Sequence, residues 1–266
     1  MEKRTKHYLQ KYLVRKFLGK KLYSRIKFFK IYFKAKIGTN YEISSILLDV
    51  LNRDDVFFDI GANQGQYIFR ILNKFKSTVW IYAFEPVNIN CKMLSGFVEK
   101  KYNNIRIENF AVSDVCGSNF LYIPLLDNIE IDTQASINYE NRKMYYKDFV
   151  KQEIRTETID NYICANNISK IDYLKVDTEG NDDKVLKGAL KSICDFRPII
   201  LCEDMDNKDM LNTLSDLSYN SFVLNKNKKL ININKANKLE IFNDLIIFIP
   251  QTRMDVFTKH IDNLTC

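Results

Sequence analysis

Val56-Phe-Phe-Asp-Ile-Gly-Ala-Asn-Gln-Gly-Gln-Tyr67 is the stretch from which the rest of the chain can be read. Val56–Ile60 is a short apolar run of the kind found in strands buried on both faces. Gly61 and Gly65 bracket a tight turn, and a helical pattern follows over roughly 65–75. Gly61 can take backbone angles closed to other residues and lets a ligand approach the main chain. Gly65 lets the helix start close to the strand.

Outward from this unit the same rhythm repeats. A helix is predicted over Tyr41–Leu51 before it. After it come an apolar run at Val79–Phe84, a helix over 88–101 and a run at Ile105–Phe110. Further on are Tyr173–Val176, a helix from Asp182 to Ile193, Pro198–Cys202 and a helix over 207–217. Strand candidates Ser221–Leu224 and Leu245–Ile249 close the pattern. Strands separated by crossover helices predict an α/β domain with a doubly wound, mostly parallel, Rossmann-like sheet. The short polar link between the last two strands predicts an antiparallel C-terminal edge. Residues 115–158 interrupt the rhythm, with strand candidates Ser118–Pro124 and Glu153–Ile159 around a polar, Tyr-rich stretch. An insertion of that length usually shapes a site, so a wall or lid is expected.

The net charge of +7 belongs to one end. Residues 1–36 carry thirteen Lys/Arg against Glu2 alone, whereas residues 37–266 carry 27 bases and 32 acids. Leu9, Leu13, Phe17, Ile26, Phe29 and Phe33 recur near helical spacing among these bases. A basic amphipathic helix or helix pair follows, with breaks at Gly19 and Gly38. The division expected is an arm over 1–40 and a main domain over 41–266. Packing of the arm on that domain and contact of residues 1–36 with an anionic membrane surface are both open readings. No signal peptide or spanning segment is expected, because the apolar runs are short and broken by Lys or Arg. The six Cys form no CxxC pair and His7 and His260 stand far apart, so no metal site is expected. A reducing, cytoplasmic setting fits them, with a peripheral place at the inner face of a membrane as a further expectation.

Ligands of open α/β sheets lie at the carboxyl ends of the strands, and there this sequence concentrates polar residues. The first strand ends in Asp59, Gly61, Asn63 and Gly65, the second in Glu85 and the third in Ser113-Asp114. Asn63 stands where a dinucleotide fingerprint needs its middle glycine. That spacing favours a single nucleoside carrying an amino-acid tail over a pyrophosphate; a ligand-free turn is the plainer alternative. Glu85 would accept from ribose hydroxyls, and Ser113 and Asp114 would reach the adenine edge. A fourth strand leads into Lys175-Val-Asp177-Thr-Glu179-Gly180-Asn-Asp182. Asp177 and Glu179 just past that strand could orient a hydroxyl and take its proton, or serve only to cap the next helix.

Together Val56–Tyr67, Ala83–Pro86, Asn109–Asp114, Thr156-Glu-Thr-Ile-Asp160 and Ile171–Ala189 resemble the FkbM family of methyltransferases. The family pattern K-[IV]-D-x-E-G-x-x-x-x-V-L-x-G is matched by Lys175–Gly188, and the likeness extends over roughly 55–250. It implies a class I methyltransferase fold, S-adenosylmethionine (S-adenosyl-L-methionine) as donor, and a hydroxyl acceptor on a sugar, glycan or related metabolite. On this chain we assign Gly61, Asn63 and Gly65 to the methionine end of the cofactor, with Asp59 also counted in the cofactor-binding set. Glu85 then meets the ribose, Ser113 and Asp114 the adenine, and Asp177 the transferred methyl, with Glu179 as alternative base. Two departures stand out: Asp182 replaces an apolar or small residue, and 125–150 matches little beyond Ser136. An RNA 2′-O-methyltransferase using the basic arm, and a non-catalytic binding module, are the competing readings, although the acidic body shows no clear nucleic-acid surface.

Overall fold

A computed structural model describes residues 2–37, 42–126, 128–202, 208–236 and 241–261. The arm is α1 (Glu2–Ile37), kinked at Gly19, whose φ of 74° and ψ of 157° leave the helical region. The expected break at Gly38, and the side chains of Leu9, Leu13 and Phe17, lie outside the described residues. Helix α2 (Glu42–Val50) leads into β1 (Val56–Ile60), α3 (Gln66–Phe75), β2 (Trp80–Phe84), α4 (Asn88–Val98) and β3 (Ile105–Glu108). Strand β4 (Ala111–Val112) follows, and the insertion then supplies β5 (Gly117–Leu126), β6 (Ile129–Glu130), α5 (Tyr139–Lys143) and β7 (Asp148–Glu157). Then follow α6 (Ile159–Asn166), β8 (Tyr173–Val176), α7 (Asp182–Lys187), α8 (Leu190–Phe196), β9 (Ile199–Cys202) and α9 (Lys208–Asp216). Strands β10 (Tyr219–Asn225), β11 (Leu230–Asn232) and β12 (Ile241–Pro250) complete the chain's regular elements.

The main sheet has the order β11-β10-β12-β9-β8-β1-β2-β3. Strand β1 pairs in parallel with β2 on one side and β8 on the other, and β3 and β9 extend the parallel part. The chain therefore winds outward through β2 and β3, then returns to the centre at β8. The reversal between β1 and β8 opens a crevice at their carboxyl ends, where such sheets bind ligands. The far edge is antiparallel as expected, but β12 inserts between β9 and β10, and β11 is an extra strand.

Alternation along the strands builds a core on each face of this sheet. Phe57, Ile81, Tyr173 and Leu201 pack toward the α1–α4 side. Phe58, Phe84, Leu174 and Ile200 pack toward α6–α9. On the arm, Phe28 meets Phe69 and Phe97 edge-on with ring centroids 5.3 and 5.4 Å apart, and Tyr32 meets the same two rings. Part of α1 is thus fastened to α3 and α4. Among the described residues no helix is long and apolar enough to cross a membrane.

Two helix assignments differ from the sequence reading. The helix expected over Asp182–Ile193 is broken at Gly188-Ala189, because Gly188 packs on the Ser113 carbonyl; a Cβ there would lie 2.2 Å from that oxygen. The strand expected over Glu153–Ile159 is the end of β7, which stops at Glu157, and α6 begins at Ile159. Thr158 accepts from the Asn161 amide at 3.1 Å, and Asp160 accepts from the Lys191 and Ser192 amides at the start of α8. The Thr-x-Thr-Ile-Asp segment is therefore a pair of helix caps. Thr158→Ala should cost about 1 kcal/mol, read as a lower urea midpoint with an unchanged slope.

Candidate active site

At the carboxyl ends of β1, β2 and β8 lies a cavity of about 250 Å³. Gly61, Asn63, Glu85, Asp177 and Glu179 all line it, as do Pro86, Phe110, Val112 and Asn181. Residues far apart in sequence meet here because the parallel strands deliver their ends to one rim.

The turn after β1 has a specific cause. The amides of Gly61 and Ala62 both donate to the Phe84 carbonyl at 3.0 Å, drawing the loop across the end of β2. Gly61 has φ of 74°, and a Cβ on it would sit 1.9 Å from the Asp177 carbonyl oxygen. Only glycine permits this contact between the ends of β1 and β8. Asn63 follows with φ of 50°, a region that Asn tolerates better than most residues. Its amide donates to Glu85 Oε2 at 2.6 Å, and the Val87 amide donates to Glu85 Oε1 at 2.9 Å. Burial pushes the Glu85 carboxyl up to about 7, with the two amides holding it back from a larger rise. A buried carboxylate with donors already aimed at it can accept further hydroxyls at little extra desolvation cost.

Lys175 organises the floor. Its Nζ lies 3.1 Å from Asp59, its register partner on β1, and 3.4 Å from Asp177. It also donates to the Gly61 carbonyl at 2.9 Å and stands 5.5 Å from the Tyr67 ring centroid. Burial alone would lower its pKa, but Asp59 and then Asp177 outweigh it and hold the ammonium charged.

Beyond β8 the loop is tied by Asp182, which accepts from the Thr178 amide at 2.8 Å and from the Thr178 hydroxyl. The acid that departs from the family pattern is thus the loop's own clasp. It leaves Glu179, at φ of 59°, turned to the cavity. Arg142 of α5 donates to Glu179 Oε2 at 3.1 Å and to Gln134 Oε1 at 2.9 Å, while Gln134 donates to Glu179 Oε1 at 2.7 Å. Desolvation, then the Asp177 charge, lift the Glu179 carboxyl to about 7 against the pull of Arg142.

The insertion forms the opposite wall. Its sheet runs β4-β7-β5-β6, with β5 and β7 paired antiparallel from Gly117–Thr156 to Leu125–Asp148. Asp132–Ile137 crosses the cavity as a strap, held by paired backbone bonds between Ser136 and Tyr122. Gln152 donates to the Pro86 carbonyl at 2.8 Å, joining this sheet to the end of β2.

Four expected residues lie off the cavity wall. Asp59 is 1% exposed beneath the loop as the counter-charge of Lys175, so its place is structural. Gly65 starts α3 from below, against Leu94 and Phe69. Ser113 is buried against Gly188, with its hydroxyl donating to Asp114, and Asp114 stands 3.9 Å from Lys187. The side chains expected at an adenine are therefore taken up by the α7–α8 corner. Asn181 does line the cavity: its Nδ2 donates to the Val112 carbonyl at 3.1 Å, and among the described residues its buried Oδ1 has no hydrogen-bond partner. Lys175 stood in the sequence motif and could have been singled out; Arg142 and Gln134 carried no signal.

A mostly parallel open sheet with a glycine-turned loop, a buried acid on the next strand and a walled cavity at the switch point defines a Rossmann-like fold with its candidate site at the carboxyl ends of the strands. The model of the methyltransferase FkbM domain family matches residues 59–222. The chain belongs to this family and is a methyltransferase. It is 23% identical over 193 residues to the hexuronic acid methyltransferase AglP of Haloferax volcanii, covering 70% of this chain and 72% of that protein. Among solved structures it is similar to an FkbM methyltransferase from Methylobacillus flagellatus KT, with TM-score 0.43, 14% identity and 73% of this chain covered; the match spans 43% of that chain's length. It is also similar to a precorrin-6y C5,15-methyltransferase from Geobacter metallireducens GS-15, with TM-score 0.40, 12% identity and coverage of 79% and 87%.

Proposed function

We propose that this enzyme methylates a hydroxyl of a sugar or glycan with S-adenosylmethionine as donor, and that residues 1–36 place it at the inner face of an anionic membrane. The carrying observation is one cavity bounded by Gly61, Glu85, Asp177 and Glu179 on one side and by the insertion on the other. The loop after β1 would take the methionine end and Glu85 the ribose. Asn181 lines the cavity beside Val112, and its Oδ1, without a hydrogen-bond partner among the described residues, suits the amino group of adenine. When bound, the cofactor supplies a methyl group already activated by the positive charge on sulfur.

The chain's own task is then to orient an acceptor oxygen and receive its proton. Both Asp177 and Glu179 face the cavity. Glu179 is the better proton acceptor, since a carboxyl raised to about 7 is matched to neutral pH. Asp177, held by Lys175, orients the hydroxyl. The strap Asp132–Ile137 supplies the acceptor wall. Glu85, Asp132, Asp177 and Glu179 are the charged residues among the described lining, and their cationic partners Lys175 and Arg142 are not part of that lining. That balance opposes a polyanion such as RNA, and the sugar-modifying relative supports a carbohydrate acceptor.

Calorimetry of S-adenosylhomocysteine binding tests the cofactor half. Glu85→Ala should weaken it by roughly 10–100-fold, the loss of a charge-assisted hydrogen bond. Unchanged affinity would remove the ribose assignment. Transfer of labelled methyl to a panel of hexosides and uronides, with RNA as control, tests the acceptor half; methylated RNA alone would overturn it.

A further inference from the structure

The second half of α1 presents two faces. Phe28, Tyr32 and Ala35 are turned onto the body. Beside them Leu22, Ile26, Phe29, Phe33 and Ile37 stand 47%, 48%, 41%, 54% and 75% exposed, Phe29 touching Phe97 edge-on at a centroid distance of 6.0 Å. At about 100° per residue these five fall within an arc of roughly 80°. A helix that merely packed on the domain would carry polar residues there. Arg25 and Lys36 border the stripe on one side, Lys30 and Lys34 on the other.

On the Lys36 side the border continues into a cavity of about 140 Å³ between the arm and the body. Its walls include the rings of Tyr32 and Tyr102, and Lys36, Lys76 and Lys101 stand around it. Among the described residues no carboxylate lines it. The cations thus gather beside the apolar stripe, on a domain that is otherwise acidic.

We infer that α1 lies flat on a bilayer rich in anionic phospholipid, with the Leu22–Ile37 stripe among the acyl chains and Lys36, Lys76 and Lys101 receiving headgroup phosphates. This rests on reading the arm as a peripheral element, and it names the face, the anchoring side chains and the lipid class. Apolar area draws such a helix into the interface, and nearby cations add attraction to anionic lipid. A second copy of the chain fits less well, since Arg25, Lys30, Lys34 and Lys36 along the borders of the stripe would meet the same four cations of the other copy.

The full-length protein is sedimented with vesicles of phosphatidylcholine alone or mixed with phosphatidylglycerol. Binding should be roughly a hundredfold tighter to the anionic mixture and weaken as salt rises. Ile26→Glu with Phe33→Glu should lower it by roughly tenfold or more. Lys36→Gln, Lys76→Gln and Lys101→Gln together should erase most of the preference for phosphatidylglycerol. S-adenosylhomocysteine affinity measured on the same variants should stay at the wild-type value, which separates this inference from the assignment of the cofactor site. Equal binding to both vesicles, full binding by the stripe variant, or a wild-type dimer that the stripe variant dissolves would each overturn it.

Discussion

Lys175→Met should lower stability by about 3–5 kcal/mol, the range for removing one partner of a buried ion pair. For a chain of this size that is a fall in Tm on the order of 10 °C, measured by calorimetry at neutral pH. Asp59 is 1% exposed, and Lys175 is its counter-ion, 3.1 Å away. Methionine has nearly the volume of lysine, so the loss would come from the uncompensated charge rather than from a cavity. The double variant Asp59→Asn, Lys175→Met separates the two: stability should return by several kcal/mol once the stranded charge is gone. Equal losses in single and double variants would show that packing around Tyr67, not charge, holds the loop. Cofactor affinity should fall with Lys175→Met as well, because Nζ also binds the carbonyl of Gly61 on the cavity rim.

Glu179→Gln should reduce kcat by roughly 10²–10⁴-fold while leaving S-adenosylhomocysteine binding unchanged. The amide keeps the shape and can still bond to Gln134, but it cannot take a proton. The pH profile is the sharper readout. A carboxyl raised to about 7 is protonated below that pH, so wild-type activity should be low in acid and climb through neutrality. That limb should vanish in Glu179→Gln. Arg142 pulls the same carboxyl downward. Arg142→Met should therefore move the limb to higher pH, an effect that a merely structural arginine would not produce. A profile in Glu179→Gln with the same limb and a near-normal rate would pass the role to Asp177.

Much of the main sheet could be read from the chain itself. The buried runs at Val56–Ile60, Tyr173–Val176 and Ile199–Cys202 have side chains whose only low-energy place is between two layers of helices. The difficult parts depended on distant partners. The split of the predicted Asp182–Ile193 helix depends on Gly188 meeting Ser113, a contact made across the fold. The apolar stripe of α1 was visible as a period. Which of its rings packed onto the body, Phe28 and Tyr32, and which stayed largely exposed, Phe33 and Phe29 with only its edge on Phe97, was decided by Phe69 and Phe97.

From the residues alone came the parallel sheet, the glycine that its first turn requires, the acids past the strand ends and the separation of a basic arm from an acidic body. These follow from local sterics, hydrophobic period and charge, which act between near neighbours along the chain. Tertiary structure decided the employment of each acid: Asp59 under the floor, Asp182 as a clasp, Glu85 and Glu179 at the cavity. It also brought Arg142 and Gln134 to Glu179, across some forty residues of chain. Burial and the position of a counter-charge set a carboxylate's behaviour, and both arise only when separate strands and an insertion close around the same space.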